Sequence, residues 1–317
     1  MKINNKGRIT RRGRLLILCL SVIPIFEFVS VGLAERQPTS YSFLSVEVPN
    51  SQGKLGFTSL ADINDKGEIV GGFTAGDSQG FIISKRSEIT RTGCPNATFT
   101  FLLGINNSGA IAGSCHDGTT HATHAFLRNQ KGQYTLIDVP GAVITEGRGL
   151  NDFNQVIGYY RDETGEQHGF VWNDGAFFTL DLPDLENVIP YPQGINNRGQ
   201  VVGSFAERPC NCNERGFLFS QGSLTIIDFP GARATILNGI NDRGDIVGIY
   251  VDSNGEHHGF VLDDEGFKTV DVQFAGIDFT EAAGINNRGE IVGRYLQRDP
   301  IYDSGFVAIP RKRIAPR

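Results

Sequence analysis

"GINDRGDIVGIY" occupies residues 239–250, and "GINNRGEIVGRY" (284–295) repeats it 45 residues later. Ile-Asn, or once Leu-Asn, begins at 63, 105, 150, 195, 240 and 285, in steps of 42, 45, 45, 45 and 45. A second mark, a Gly-Phe or Ala-Phe pair, ends at Phe81, Phe126, Phe170, Phe217, Phe260 and Phe306. A third is a strand-like stretch ending near proline, as in "YTLIDVPGA" and "LTIIDFPGA". Self-similarity at this period marks an architecture whose units stack because one unit cannot bury its own faces.

The fifth copy shows what one unit contains. Its four runs of β character are "ILNGIN" (236–241), "DIVGIY" (245–250), "HGFVLD" (258–263) and "FKTVDV" (267–272), separated by turn residues. No stretch beyond residue 40 carries a helical period. Four antiparallel strands in about 45 residues is the size of a propeller blade. The sequence therefore predicts an all-β, six-bladed β-propeller over residues 41–310, each blade a four-stranded antiparallel sheet. The last copy stops after its third strand, "GFVAIP" (305–310), and "YSFLSVEVP" (41–49) matches the missing piece. Residues 43–48 are expected to complete the sixth blade as its outer strand, leaving fewer exposed edges. The Asn turns would then lie on one face. The opposite face would carry the variable loops between second and third strands and the crossovers between blades.

Residues 1–34 read differently. Six basic residues precede the apolar run "LLILCLSVIPIF" (15–26), and "VGLA" (31–34) ends in small residues, the order of a secretory signal. We expect a leader over 1–34, a linker over 35–40 and a basic tail over 311–317 that includes "RKR". The whole chain has 29 basic and 35 acidic residues; without the leader its net charge is −11. Such a surface repels phosphates, so nucleic acid is not an expected partner. Secretion, periplasmic or extracellular, without stable membrane insertion after cleavage, is the expected localisation.

With these motifs, the chain resembles the bacterial HAF-type extracellular repeat family, marked by a His-Ala-Phe or His-Gly-Phe triplet and an "IN-x-x-G-x-[IV]-x-G" hairpin. The triplet stands as "HAF" (124–126), "HGF" (168–170) and "HGF" (258–260), and departs to "QGF", "RGF" and "SGF" in the other copies. The resemblance covers residues 41–310 and implies export and a propeller; it implies no reaction.

Asn64, Asn106, Asn151, Asn196, Asn241 and Asn286 recur at one position and are read as hairpin residues, because Asn accepts local backbone hydrogen bonds. One Asp and two amides per turn fall short of a calcium loop. His124, His168 and His258 recur on the third strand and, with acids of the fourth strand (Asp138, Asp181, Asp228, Asp271 and Glu47), are read as blade-locking partners. The variable loops offer more. "SCHDGTTHATH" (114–124) supplies His116, Asp117 and His121. "RDETGEQH" (161–168) and "DSNGEHH" (252–258) supply Asp162, Glu163, Glu166, Asp252, Glu256 and His257. These are the candidate binding residues of the variable face, able to meet a sugar's hydroxyls. A divalent ion is weakly supported there, and no cofactor is expected. Cys94 and Cys115 fall on the same face and are expected to form a disulfide; Cys210 and Cys212 are left unassigned.

Even repetition, without a singular constellation of catalytic residues, points to a non-catalytic exported propeller presenting its surface to glycans or proteins. The rivals are an extracellular polysaccharide hydrolase or lyase using the acids and His of the variable loops, and a purely structural envelope protein.

Overall fold

The computed structural model describes residues 41–49, 58–73, 79–180, 182, 185–208, 212–273, 277–298 and 301–311. The expected leader and linker, the tail beyond Arg311, Asp181, Cys210 and the Cys212 side chain lie outside the described residues. All regular structure among the described residues is β-strand. After β1 (Tyr41–Val46), the chain forms a meander of β2 (Thr58–Ile63), β3 (Ile69–Phe73), β4 (Gly80–Ile83) and β5 (Ile89–Thr92). A second comprises β6 (Ala97–Ile105), β7 (Ile111–Asp117), β8 (Thr123–Arg128) and β9 (Tyr134–Ile137). Next come β10 (Ala142–Leu150), β11 (Val156–Asp162), β12 (Gln167–Asn173) and β13 (Ala176–Leu180). The following meander has β14 (Val188–Ile195), β15 (Val201–Glu207), β16 (Cys212–Ser220) and β17 (Ser223–Ile227). Then β18 (Ala234–Ile240), β19 (Ile246–Val251), β20 (His257–Asp263) and β21 (Gly266–Thr269) repeat the pattern. The chain ends in β22 (Ile277–Ile285), β23 (Ile291–Arg298) and β24 (Ile301–Pro310).

Consecutive strands of each meander pair antiparallel. Single-residue parallel bridges (Ile144 with Thr123, His257 with Phe279) also tie β10 to β8 and β22 to β20. β1 pairs antiparallel with β24 from Tyr41–Pro310 to Val46–Gly305, so this strand starts two residues earlier than the sequence suggested.

The turn chemistry explains the first hairpin of each copy. Asn241 Oδ1 accepts the N–H groups of Arg243, Gly244 and Asp245, and Gly244 adopts φ 96°, which a side chain would strain. In the third copy Asn154 takes the glycine's place at φ 59°. The glycine of each "IVG" run serves packing instead. A Cβ on Gly248 would lie 2.0 Å from the Ile236 carbonyl oxygen and 3.0 Å from the Phe260 ring. Phe260 and its five counterparts are accordingly fully buried, each contributing about 1.5–3 kcal/mol of transfer free energy.

The core lies between neighbouring meanders. Phe229, Leu237, Ile240, Ile246 and Phe260 pack against Val202 of the preceding one. Likewise Leu60, Ile63 and Phe81 of the first pack against Val292 of the last. A threonine early in the inner strand pins most crossovers: Thr58, Thr100, Thr145, Thr235 and Thr280 accept the N–H groups of Val48, Cys94, Val139, Phe229 and Val272.

Cys94 and Cys115 form a disulfide, with Cα atoms 6.3 Å apart and 21 residues of separation. Both are buried beside Leu102 and Phe126. Closing a loop of this length contributes about 3 kcal/mol. Its removal by Cys94→Ser/Cys115→Ser is expected to lower the melting temperature by about 6–12 °C. Calorimetry of the double variant beside the oxidised protein checks this, and coincident transitions would refute it.

Candidate functional site

The conserved-looking Asn turns do something that no single turn predicts. Each Asn Nδ2 donates to the backbone carbonyl of the equivalent Asn in the next copy. The bonds run Asn64 to Asn106, then to Asn151, Asn196, Asn241 and Asn286, and Asn286 returns to Asn64, at 3.0–3.2 Å. The following residues make a second cycle in which Asp65, Asn107, Asp152, Asn197, Asp242 and Asn287 alternate acid and amide. Each backbone N–H donates to the next residue's Oδ1 at 2.8 Å. Each amide Nδ2 bridges the two flanking carboxylates, as Asn197 does to Asp152 (2.8 Å) and Asp242 (2.9 Å). Burial pushes the Asp65 carboxyl up. The side-chain and backbone N–H groups of Asn287 and the Asn107 amide outweigh it and hold the group below the usual carboxylate range. The three carboxylates of this cycle are thus spent on holding copies together.

The acids of the variable loops are also largely engaged in turns. Asp162 Oδ1 accepts from the Thr164 hydroxyl and the Thr164 and Glu166 N–H groups, and Asp252 Oδ1 from those of Asn254 and Glu256. Asp117 does the same for Thr119 and Thr120. These hydrogen bonds, led by the Thr120 N–H at Asp117, the Thr164 hydroxyl at Asp162 and the Glu166-equivalent Glu256 N–H at Asp252, hold all three below the ordinary carboxylate range. Glu166 pairs with Arg208 of the next copy at 2.6 Å, and Glu163 is exposed. The His116 and His121 rings are 6.0 Å apart.

His124 and His258 turn Nδ1 to Asp138 (2.6 Å) and Asp271 (2.8 Å), while Arg215 takes the same role toward Asp228. His168 faces Asp162 at 3.5 Å and stacks on Tyr160. Asp252 and Glu256 gather around His258, not His257: their donor atoms lie within 4.8 Å of one another. The hydrogen bond that His258 donates to Asp271 raises its pKa above the usual imidazole value. His257 instead stacks on Phe279, and burial lowers its pKa.

A different set of residues surrounds the central cavity. Every inner strand carries a β-bulge at the same place, where the register slips between Leu60 and Asp62 and at the five equivalent points. A bulge leaves one residue unpaired and re-aims its side chain. The unpaired residues are Ala61, Leu103, Arg148, Gln193, Asn238 and Ala283, and all six line one cavity. Glu281 and Ser59, two residues upstream of a bulge, line it as well. The inner strands run from the crossovers to the Asn turns, so this cavity is a funnel on the crossover side. On the other side, the two cycles of turn residues line a second cavity.

Asp62 lines both cavities, together with Leu150, Ile195, Ile240 and Ile285. At its position the other copies have Gly104, Gly149, Gly194, Gly239 and Gly284. Its Oδ1 and Oδ2 accept the N–H groups of Ile63 (2.8 Å) and Ile105 (2.9 Å). Burial nevertheless prevails over these bonds and raises its pKa to about 7. What surface Asp62 retains faces the two cavities.

In the funnel wall, Arg148 Nη2 donates to Tyr159 Oη (2.9 Å) and Glu146 Oε2 (3.2 Å), and Tyr159 Oη donates to Glu146 at 2.7 Å. Arg294 Nε donates to Glu281 at 2.8 Å. Asn238 Nδ2 donates to the Ala282 carbonyl at 3.0 Å. The residues of this wall were missed in the sequence. Their only signal was variation at the second position before each Ile-Asn, where alternation does not say which way a bulged residue points.

Inner strands around one cavity, each followed outward by the rest of its meander, define a β-propeller. Solved structures agree on that fold. A TolB-like protein from Agrobacterium tumefaciens aligns at a TM-score of 0.56 with 12% identity, over 85% of this chain and 98% of that one. The gluconolactonase XC5397 from Xanthomonas campestris aligns at 0.50 with 10% identity, over 80% and 88%. These are likenesses of fold alone. No family model and no curated protein matches the chain.

Proposed function

We propose that the chain is an exported six-bladed β-propeller of the HAF-type repeat kind, closed by β1 on the last blade, and that it is a non-catalytic module binding glycans or proteins. Support for closure comes from the β1–β24 ladder and from the Asn286–Asn64 hydrogen bond that joins the last turn to the first. The Cys94–Cys115 disulfide suits an oxidising compartment outside the cytoplasm.

The observation that carries the binding reading is a division of labour. Polar groups that recur in every copy are consumed in bonds between copies. Those that differ between copies, at the bulges and in the variable loops, face the crossover side. A constant frame with one variable face is how a binding scaffold is built. Screening on a glycan array and against envelope extracts, together with assays for released product, tests it. Saturable binding without turnover is the expected result. Product release that disappears in His116→Ala or Asp162→Asn would establish the hydrolase or lyase instead, and absence of any binding would leave only a structural role.

A further inference from the structure

We propose that the crossover-side funnel is the binding site for one neutral pyranose, free or as the terminal unit of a glycan; this rests on the glycan-binding reading above. The funnel is an open-mouthed cavity of about 170 Å³, smaller than the sites that take drug-sized ligands, which limits it to one small ligand unit. Its six bulged residues are not evenly mixed. Arg148, Gln193 and Asn238 are consecutive around the ring, and Ala283, Ala61 and Leu103 follow on the other side. One wall therefore offers hydrogen bonds at its bulges, and the opposite wall is apolar at its bulges, with Ser59 and the Arg294-paired Glu281 two residues further toward the mouth. A pyranose has the matching division, with hydroxyls around its edge and C–H groups on a face.

Charge argues for a neutral ligand. Arg148 is already matched by Glu146, and Glu281 by Arg294 at 2.8 Å. An anionic ligand would have to break the Arg148 pair, and the remaining carboxylate of the lining, Asp62 at the floor, already accepts the Ile63 and Ile105 N–H groups, whereas hydroxyls donate to and accept from all of these without displacing a partner. The carboxamides of Gln193 and Asn238 supply donors and acceptors together.

The mouth adds aromatic surface. Phe101 and Tyr191 stand four residues before Ile105 and Ile195, at the strand position that Glu281 holds in the last copy. Phe101 is 50% exposed, and the half-buried Tyr191 meets Tyr159 edge-on at 5.9 Å. By its strand position the Phe101 ring stands beyond the mouth, where an exposed aromatic face suits the C–H face of a neighbouring sugar unit.

The test titrates the full chain with D-glucose, D-galactose, D-mannose and L-fucose while following the side-chain amide resonances of Gln193 and Asn238. Saturable binding of at least one sugar, with those resonances moving, is expected. Gln193→Ala should weaken binding about tenfold without lowering the melting temperature, and Asn238→Ala should weaken it similarly with a small fall in melting temperature, since it also removes the bond to the Ala282 carbonyl. Competition of the free sugar against array binding would identify a terminal unit, and its absence beside sugar binding would identify the free sugar. Glycan binding that survives both variants, or shifts confined to the variable loops, would overturn the funnel while leaving the glycan-binding module standing. No saturation by any of the four sugars, or tighter binding of a uronate than of its neutral parent, would overturn it too.

Discussion

Asn197→Asp is expected to lower the melting temperature by about 10 °C at pH 7, the largest effect of any single substitution on the hairpin face. The side chain now donates to Asp152 and Asp242 through one amide nitrogen. The substitution removes both charge-assisted bonds and sets three carboxylates side by side. Stranding half-buried acceptors beside an added like charge costs about 2–4 kcal/mol, and a chain of this size loses about 2–4 °C per kcal/mol. The backbone bonds of the cycle should persist, since an aspartate still accepts the Asp152 N–H as Asn197 does. The pH dependence separates this cause from a general packing defect. The introduced carboxyl would be protonated more readily in the folded ring than in the unfolded chain, so the deficit should shrink as pH falls towards about 4. Scanning calorimetry at pH 4 and pH 7 measures both effects. A drop below about 2 °C at pH 7, or one that ignores pH, would refute the role assigned to the cycle.

Much of the architecture was legible because its signals are local. The Asn-x-x-Gly turns, the alternation within "HGFVLD" and the 45-residue step each report on a few adjacent residues, and copies multiply the signal. The Cys94–Cys115 bond followed from placing a crossover and a loop on one face. What the sequence hid were interactions between copies. The alternation of Asp and Asn from residue 65 to 287 was visible, yet it reads as turn chemistry until neighbouring turns are brought to within hydrogen-bond distance. His258 keeps the strand partner that the sequence suggested, whereas His257 does not join the loop acids, for a related reason. Adjacent residues on a strand face opposite ways, and only the register shows that His258 meets Asp271 while His257 meets Phe279. The funnel wall was hidden most deeply. A bulge breaks the two-residue alternation at Arg148, Gln193 and Asn238, so any strict strand pattern misassigns the residues on one side of it.

Asp62→Asn should reverse the pH dependence that this carboxylate imposes. The folded pKa is raised to about 7 from an ordinary 3.8, so between those values the folded protein holds a proton that the unfolded chain releases. Stability therefore falls as pH rises through this window, and the cost is complete above about 7. A shift of this size corresponds to at most about 4 kcal/mol, less here because part of Asp62 opens to the central cavities. Asparagine can keep one of the two backbone N–H bonds and carries no charge. Its midpoint of urea unfolding should exceed that of the parent at pH 8 and match or fall below it at pH 4. Parallel pH profiles would show that Asp62 is not the titrating group. The other five copies avoid this cost with glycine at the same position. The acid sits instead at the floor of the funnel, one residue after Ala61 and on the side away from Arg148, Gln193 and Asn238. Local rules are broken most often where a site is built. The one inner-strand residue that costs stability thus lies beneath the one cavity whose wall differs from copy to copy.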